Sequence, residues 1–522
     1  MTGTAVTGTA VTGTAAAGTA AAGVDERFAA SRALFDSTLG FLDGAAAAGL
    51  EHAELETHLQ EAGRELFRQL MQDHLHLRVQ REQRLPEVTD AEQVTRGAVE
   101  TGHTRALTTV FGEVAVTRLA YRRRGHANLY PADAALNLPV EKHSHGLRQL
   151  AALEATRGSF DDTAEAIERA TGLRLGKRQA EQLAGRAAAD VEDFYAQRRP
   201  PAGAGRDVLV LSVDGKGIVM RPEALRPATA KAAASTTTKL STRLSKGEKR
   251  NRKRLAEVGA VYDADPVART PADILARSQD VGADTDPQQP HAPVAANKWL
   301  TASVTDDAAT VVGRVFDEAD RRDPTYTRTW IALVDGNNHQ IDRIQAEATR
   351  RGVEVAILCD FIHVLEYLWK AAWSFHDEGD PAAEQWVHDK AIAVLQGKAT
   401  RVAAGLRRAT TRRGLDPPKR AGADACATYL INKEPCLDYP TALHNGWPIA
   451  TGVIEGACRH LVKDRMDITG ARWGLSGAEA ILKLRALRSN GDFDAYWRYH
   501  LDQERRRAHE SRYLNGLIPQ AA

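Results

Sequence analysis

Apolar positions along this chain change their period several times, and each change marks a different element. From Val24 to about Gln93, Leu50, Ala53, Leu55, Leu59, Leu66, Leu70 and Leu75 recur mostly at three- and four-residue spacings, which predicts a helical region over 24–105. The period then drops to two. Ala106–Phe111 and Val114–Tyr121 alternate around Gly112-Glu113 and predict a β-hairpin within 106–130. Between 131 and 200 the pattern is helical again, with helices expected over 143–157, 160–171 and 176–197. Ser159 caps the second, and Gly172 ends it. A Pro-Pro-Ala-Gly-Ala-Gly linker at 200–205 precedes a change of class. Strands are expected at 207–213, 258–262, 299–304, 329–334 and 353–358, with helices at 307–320, 339–351 and 363–375. That order, β-β-β-α-β-α-β-α, predicts a mixed sheet flanked by helices over 206–490. Residues 376–440 read as a helical insertion, 452–466 and 475–488 as further helices, and 491–522 as a C-terminal tail.

At 522 residues and 56.7 kDa the chain is too long for one core and suggests three or four domains. It has no run of 18 apolar residues and no basic and apolar leader, so neither a membrane span nor a signal peptide is expected. Cys359, Cys426, Cys436 and Cys458 form no Cys-x-x-Cys pair, which speaks against a zinc ribbon or a disulfide framework and for a reducing, cytoplasmic setting. Residues 1–23, a Thr/Ala/Gly/Val tandem without charge or bulk, are expected to be disordered. Alternatively they are translated upstream sequence, with the true start near Val24; N-terminal sequencing of the native protein decides between the two.

A formal net charge of +1 supplies no global positive field, so any nucleic-acid role must come from local clusters. Two are present. Lys177, Arg178, Gln182 and Arg186 line the first turns of the third helix at 176–197, an arrangement that suits major-groove docking as well as it suits a solvated face. Lys239, Arg243, Lys246, Lys249, Arg250, Arg252, Lys253 and Arg254 lie between the first two strands, interleaved with Ser and Thr; a solvated surface and a phosphate contact both fit. Arg122-Arg123-Arg124 at the hairpin exit reads either way.

The informative feature is a pair of apolar strands that each deliver an aspartate, Asp214 before Gly215 and Asp335 before Gly336. One such Asp is an ordinary turn residue. Two on neighbouring strands repel until a divalent cation joins them, and two such ions can clamp an in-line phosphoryl displacement. Glu455 is the candidate third ligand. On a regular helix it shares a face with Arg459, Lys463 and Met466, an arrangement equally read as a surface Glu–Arg pair. Asp360 and His363, after the last strand, are a fourth candidate or a helix cap with a packed histidine.

Four motifs carry a family resemblance: Leu-Ser-Val-Asp214-Gly-Lys-Gly, Ala-Leu-Val-Asp335-Gly-Asn-Asn-His-Gln, Cys-Asp360-Phe-Ile-His363-Val-Leu-Glu-Tyr-Leu-Trp369 and Gly-Val-Ile-Glu455-Gly-Ala-Cys-Arg-His-Leu-Val-Lys-Asp-Arg-Met466. In fixed order over about residues 130–500 they resemble bacterial insertion-sequence DDE transposases of the Kra-four family. The stretches Leu244–Arg254 and Ile468-Thr-Gly-Ala-Arg-Trp473 resemble it too. The resemblance implies a ribonuclease-H-like catalytic core with a helical insertion. The α-helical region and the helix-turn-helix-like helices before it are read from the sequence pattern, and the first hundred residues match the family weakly. It implies Asp214, Asp335 and Glu455 as catalytic metal ligands for Mg²⁺ or Mn²⁺, two per site and no zinc. Asp360 and His363 match the Asp-x-x-His signature of Mutator-like relatives, auxiliary to the site together with Arg459. Arg472 and Trp473 are implied as DNA contacts, Trp473 alternatively as a core side chain. The implied partners are double-stranded DNA, both terminal inverted repeats and target, and a second copy in a homodimer or higher oligomer. Two rivals stand beside transposition: a non-catalytic DNA-binding regulator and a stand-alone nuclease. The segment 1–23 has no counterpart in the family.

Overall fold

The computed structural model describes residues 23, 26–199, 207–235, 248–249, 251–276, 292–468 and 470–520. The tandem at 1–22, the linker 200–205, and Lys239, Arg243, Lys246 and Arg250 of the basic cluster lie outside the described residues. The chain divides into two compact units, one comprising residues up to Asp190 together with Trp497–Ala522, the other Val191–Tyr496. Among the described residues, no helix is long and apolar enough to cross a membrane.

In the first unit, α1 (Ala29–Asp43) lies antiparallel to α2 (His52–Arg81). The Ser31 hydroxyl donates to Asp73 Oδ2 at 2.6 Å near one end, and the Phe41 and His58 rings stack at 3.7 Å near the other. Glu51 and Glu54 form a capping box that starts α2. The helix packs on the hairpin β1 (Ala98–Thr109) and β2 (Gly112–Arg122) through Leu75, Leu107, Val114 and Val116, and the Gln72 amide satisfies Ala115 on both sides at 2.8 and 3.1 Å. The hairpin turn falls at Val110-Phe111 rather than Gly112-Glu113, because Thr109 pairs with Gly112 and its hydroxyl ties both Gly112 O and Phe111 N.

Helices α3 (His145–Ala155), α4 (Phe160–Thr171) and α5 (Lys177–Ala187) close around Leu147, Ala151, Ile167 and Leu183. The Ser159 cap and the left-handed Gly172 are where the sequence puts them. The third helix does not run on to Gln197. It breaks at 188–190, where Asp190 turns to accept from His500 Nδ1 (2.6 Å) and Arg507 (2.6 and 2.7 Å), and α6 (Val191–Gln197) starts afresh.

The C-terminal segment is likewise no loose tail. Phe493–Ala508 is a helix with Tyr496 and His500 fully buried. Beyond Trp497 it holds the first unit together: fully buried Arg148 bonds Glu504 at 2.7 Å and His500 at 3.1 Å, and it also pairs with Glu141. Its His500, Glu504 and Arg507, which look like scattered polar surface in sequence, pair with Asp190 and Arg148.

The second unit is built on a five-stranded mixed sheet of β3 (Val208–Val219), β4 (Lys253–Ala264), β5 (Ala295–Ser303), β6 (Thr329–Val334) and β7 (Val355–Cys359), in the spatial order β5-β4-β3-β6-β7. The first three are antiparallel, while β6 and β7 run parallel to β3 and to each other. The parallel pairs need crossovers, supplied by α7 (Ala308–Arg322) and α8 (Asn338–Arg351). Helix α7 buries Val311, Val315, Phe316 and Ala319 on the sheet, and it rides so close over Gly259 that a Cβ there would sit 2.5 Å from Val315 Cγ2.

Strands β3 and β4 are longer than the apolar runs suggest, because they pair in unbroken register from Val208↔Ala264 to Val219↔Lys253. Polar residues are carried on the solvated part of that ribbon. Helix α9 (Phe361–Ala372) follows β7, and the insertion is helical: α10 (Pro381–Leu395), α11 (Ala399–Arg412), α12 (Pro417–Asn432) and α13 (Tyr439–His444). The expected helix 452–466 is α14 (Gly452–Ala457) continued by a π-helical stretch, Cys458–Lys463, and a last turn at Asp464–Met466.

Candidate metal centre

Asp214 is not at a strand terminus. It sits within β3, paired with Val258, two residues past Ser212, the last position that pairs with β6. Asp335 lies two residues past Leu333, the partner of Ser212, so the two aspartates stand level on adjacent parallel strands. The backbone fixes both carboxylates: Asp214 Oδ1 accepts from Gly215 N at 2.6 Å, and Asp335 Oδ1 from Asn337 N at 2.8 Å.

The glycines after them do not leave space for a ligand. A Cβ on Gly336, whose φ is +94°, would meet Tyr429 Oη at 2.8 Å, and one on Gly215 would meet Leu255 Cδ2 at 2.8 Å. The protein fills both gaps itself. Tyr429 uses its position to donate to Asp335 O at 3.3 Å.

The helix bearing Glu455 is pinned on both sides. Thr451, at its N-terminus, donates its hydroxyl to Asp360 Oδ2. Cys458, one turn after Glu455, donates its thiol to Asp214 Oδ2 at 3.3 Å. Burial first, then the Asp214 carboxylate, push the Cys458 thiol far above its usual range, so it stays a proton donor. The π-helical stretch that begins at Cys458 resets the helix register. Arg459 therefore pairs with Asp464 at 3.7 Å and forms no Glu455–Arg459 bridge, while Met466 turns inward and is 1% exposed.

Glu455, Asp360 and His363 each bring a ligand atom within 4.8 Å of the other two. Asp360 is fully buried and caps α9: Oδ1 accepts from Ile362 N at 2.8 Å, and Oδ2 takes Thr451 Oγ1 and faces His363 Nδ1 at 3.3 Å. A proton on Nδ1 satisfies that contact and leaves Nε2 as a lone-pair donor, the role carboxylates play behind metal-binding histidines. Cap and candidate site residue are thus one and the same. His363 and Asp335 also line one cavity of about 690 Å³, together with Asn337, Tyr367, Tyr429 and Lys433.

Another carboxylate belongs to this neighbourhood. Glu257 pairs across the ribbon with Gly215, and burial, then the nearby Asp214, hold it above the usual carboxylate range. Nothing in Ala-Glu257-Val distinguishes it in sequence from a solvated strand position. Thr451 and Cys458 stand inside a recognisable motif, and only the helix start before Glu455 hints at their pinning role.

A second acidic group, Glu192, Asp306 and Glu479, already carries its own cations. Arg314 pairs with Glu192 at 2.9 Å and Asp306 at 2.7 Å, and Lys483 pairs with Glu192 at 2.9 Å. Glu479 is spent on Ser303 and Val304 at 2.8–3.0 Å, so this group clamps the loop after β5.

The basic candidates divide. Arg178 and Gln182 are exposed on α5; Lys177 and Arg186 are exposed too but pair with Asp161 (2.6 Å) and Glu141 (2.8 Å). Lys249 and Arg252 precede β4, and Lys253 and Arg254 lie within it. Arg254 spends its guanidinium on Val304 O at 2.8 Å, so it is a structural clamp and no free phosphate contact. Arg472 is exposed. Trp473 is 6% exposed, donates Nε1–H to Met466 O at 3.0 Å and lies under the Arg465 guanidinium at 4.7 Å; it is a core side chain with no face open to a base.

No known family model and no curated protein matches this chain.

Proposed function

We propose that the second unit is a ribonuclease-H-like, divalent-metal-dependent DNA phosphodiester transferase, and that the chain is a transposase cutting and rejoining DNA at the ends of a mobile element. One observation carries the reading: Asp214 and Asp335 stand level on adjacent parallel strands, and the helix that bears Glu455 is tied to both Asp214 and the Asp360–His363 pair. The donor set is oxygen-rich with one imidazole, which fits Mg²⁺ or Mn²⁺. Asp214, Asp335 and Glu455 would hold the metal. These three do not form a group within 4.8 Å, and Glu455 lies instead with Asp360 and His363, so that His363 would stand at the edge of the ion. When bound, it supplies charge stabilisation to the phosphodiester and to the attacking and leaving oxygens.

The chain's own groups do the rest. Asp360 fixes the imidazole tautomer of His363, Cys458 and Thr451 hold the Glu455 helix in place, and the cavity lined by Asp335 and His363 admits the scissile strand. Water attacks phosphorus and the 3′-oxygen leaves with a proton; the freed 3′-hydroxyl then attacks a target phosphodiester in the same way. No covalent protein–DNA step is required. Arg178, Gln182 and Arg472, with the cluster at 239–253, supply phosphate and base-edge contacts.

Asp335→Asn tests this. On duplex DNA carrying the gene's own flanking repeats, with Mg²⁺ or Mn²⁺, the variant binds as the wild type does and leaves the strands uncut; cleavage at the wild-type rate refutes the metal-ligand assignment.

A further inference from the structure

The helical hairpin at the N-terminal end of the first unit carries an apolar face that nothing among the described residues covers. On α1, Ser31, Leu34, Thr38 and Phe41 turn toward α2, and the adjacent stripe Phe35, Leu39 and Leu42 is 39–49% exposed. On α2, Leu55, Ala62, Leu66 and Asp73 turn toward α1, and Leu59, Phe67 and Leu70 are 36–54% exposed on the adjacent face. In an antiparallel pair, stripes displaced in the same rotational sense from the contact seam lie on the same side. The six side chains therefore make one continuous surface, and Phe111 extends it by packing on Phe67 at 5.6 Å.

We propose that this face is the contact between two copies of the chain, with two α2 helices crossing antiparallel about a two-fold axis near Phe67. Two observations select a second copy as the occupant. The first is charge. On the exposed face of α2, Glu56 lies toward the N-terminal end, while Arg78 and Arg81 lie toward the C-terminal end, and all three are exposed. Glu56 and Arg78 stand eleven residues either side of Phe67, so a two-fold axis there sets Glu56 of each copy against Arg78 of the other. A symmetric contact needs a self-complementary patch of this kind. The second is area. At about 150–250 Å² for a large apolar side chain, these exposures leave roughly 500 Å² of apolar surface per copy. Interfaces are about 60% apolar, which scales this to roughly 800 Å² per partner, the size of a stable specific contact.

The test is sedimentation equilibrium of the full chain over a wide concentration range. The expected result is a dimer whose dissociation constant rises about 100-fold or more in Phe67→Glu, with an unchanged circular dichroism spectrum, because the residue is 54% exposed. Glu56→Arg alone and Arg78→Glu alone should each weaken association about 10-fold, and the double reversal should restore it, which a folding defect would not do. Three results overturn the proposal: a monomer at every concentration, a dimer indifferent to Phe67→Glu, or single reversals that the double variant does not rescue. A photo-crosslinker at position 70 that labels only its own chain or a foreign protein also overturns it.

Discussion

Replacing Asp360 separates what holds the second unit together from what prepares its site. The fully buried carboxylate accepts Ile362 N–H as the cap of α9, accepts the Thr451 hydroxyl, and faces His363 Nδ1. Asp360→Ala removes all three at once. Losing the cap costs about 1 kcal/mol, and stranding the Thr451 hydroxyl, itself 3% exposed, costs a further ~1–3 kcal/mol, so the total is about 2–4 kcal/mol. Asp360→Asn keeps one oxygen for the cap and a polar partner for Thr451, which limits the loss to about 1 kcal/mol. Its amide N–H₂, however, presents a donor to His363 Nδ1. The imidazole answers by moving its proton to Nε2, which removes the lone pair that would face a metal. Urea denaturation should therefore show a large loss for Asp360→Ala and a small one for Asp360→Asn, while Mn²⁺ titration calorimetry shows the Asn variant weakened about 10- to 100-fold. An Asp360→Asn protein that binds Mn²⁺ as tightly as wild type refutes the orienting role. An Asp360→Ala protein of unchanged stability refutes the packing argument beneath it.

Other positions give independent checks. Trp473→Ala should cost about 3–5 kcal/mol in thermal or urea unfolding and leave intrinsic DNA affinity unchanged at temperatures where it stays folded, because the indole is buried; a loss of affinity without a loss of stability would reverse that reading. Gly422→Ala puts a methyl 2.1 Å from the Lys370 carbonyl oxygen, where backbone must move, so a loss of about 3 kcal/mol is expected in the same assay. Burial, and then Arg148, push His145 down to about 4, while its Nε2–H donates to Asn137 O at 2.9 Å. The unfolded chain thus binds the extra proton between about pH 6.5 and pH 4. First-unit stability should fall as pH drops through that window, by at most about 3 kcal/mol, and be level above it for this group. An NMR titration of His145 with a midpoint near 6.5 would contradict this.

The sheet was legible because its strands are apolar runs with aspartates at informative places, and the crossover helices α7 and α8 announce themselves by period. Boundaries went astray wherever pairing, and not hydrophobicity, sets them. Residues Gly215 to Val219 and Lys253 to Glu257 are polar enough to read as loop, yet each strand supplies the other's backbone partners. The regular helix expected around Glu455 missed the π-helical stretch, since no local propensity separates Cys458–Lys463 from α-helix; the stretch begins at Cys458, whose thiol bonds Asp214 on β3. Phe493–Ala508 looked like a tail because Arg148 and Asp190, which pair with its Glu504, His500 and Arg507, lie some three hundred and more residues upstream. The candidate site shows the same split. Asp214, Asp335, Asp360 and Glu455 stand out by position, whereas Glu257, Thr451 and Cys458 enter only through contacts across the fold.

The measurement that bears most directly on the proposed function is strand joining. A labelled oligonucleotide ending in the gene's flanking repeat, with a free 3′-hydroxyl, is incubated with the full chain and supercoiled plasmid, with and without Mn²⁺. The account predicts label covalently joined to plasmid only with metal, and none with Asp335→Asn. Binding to the repeat with neither cutting nor joining under Mg²⁺ or Mn²⁺ would contradict it and leave a DNA-binding regulator in its place.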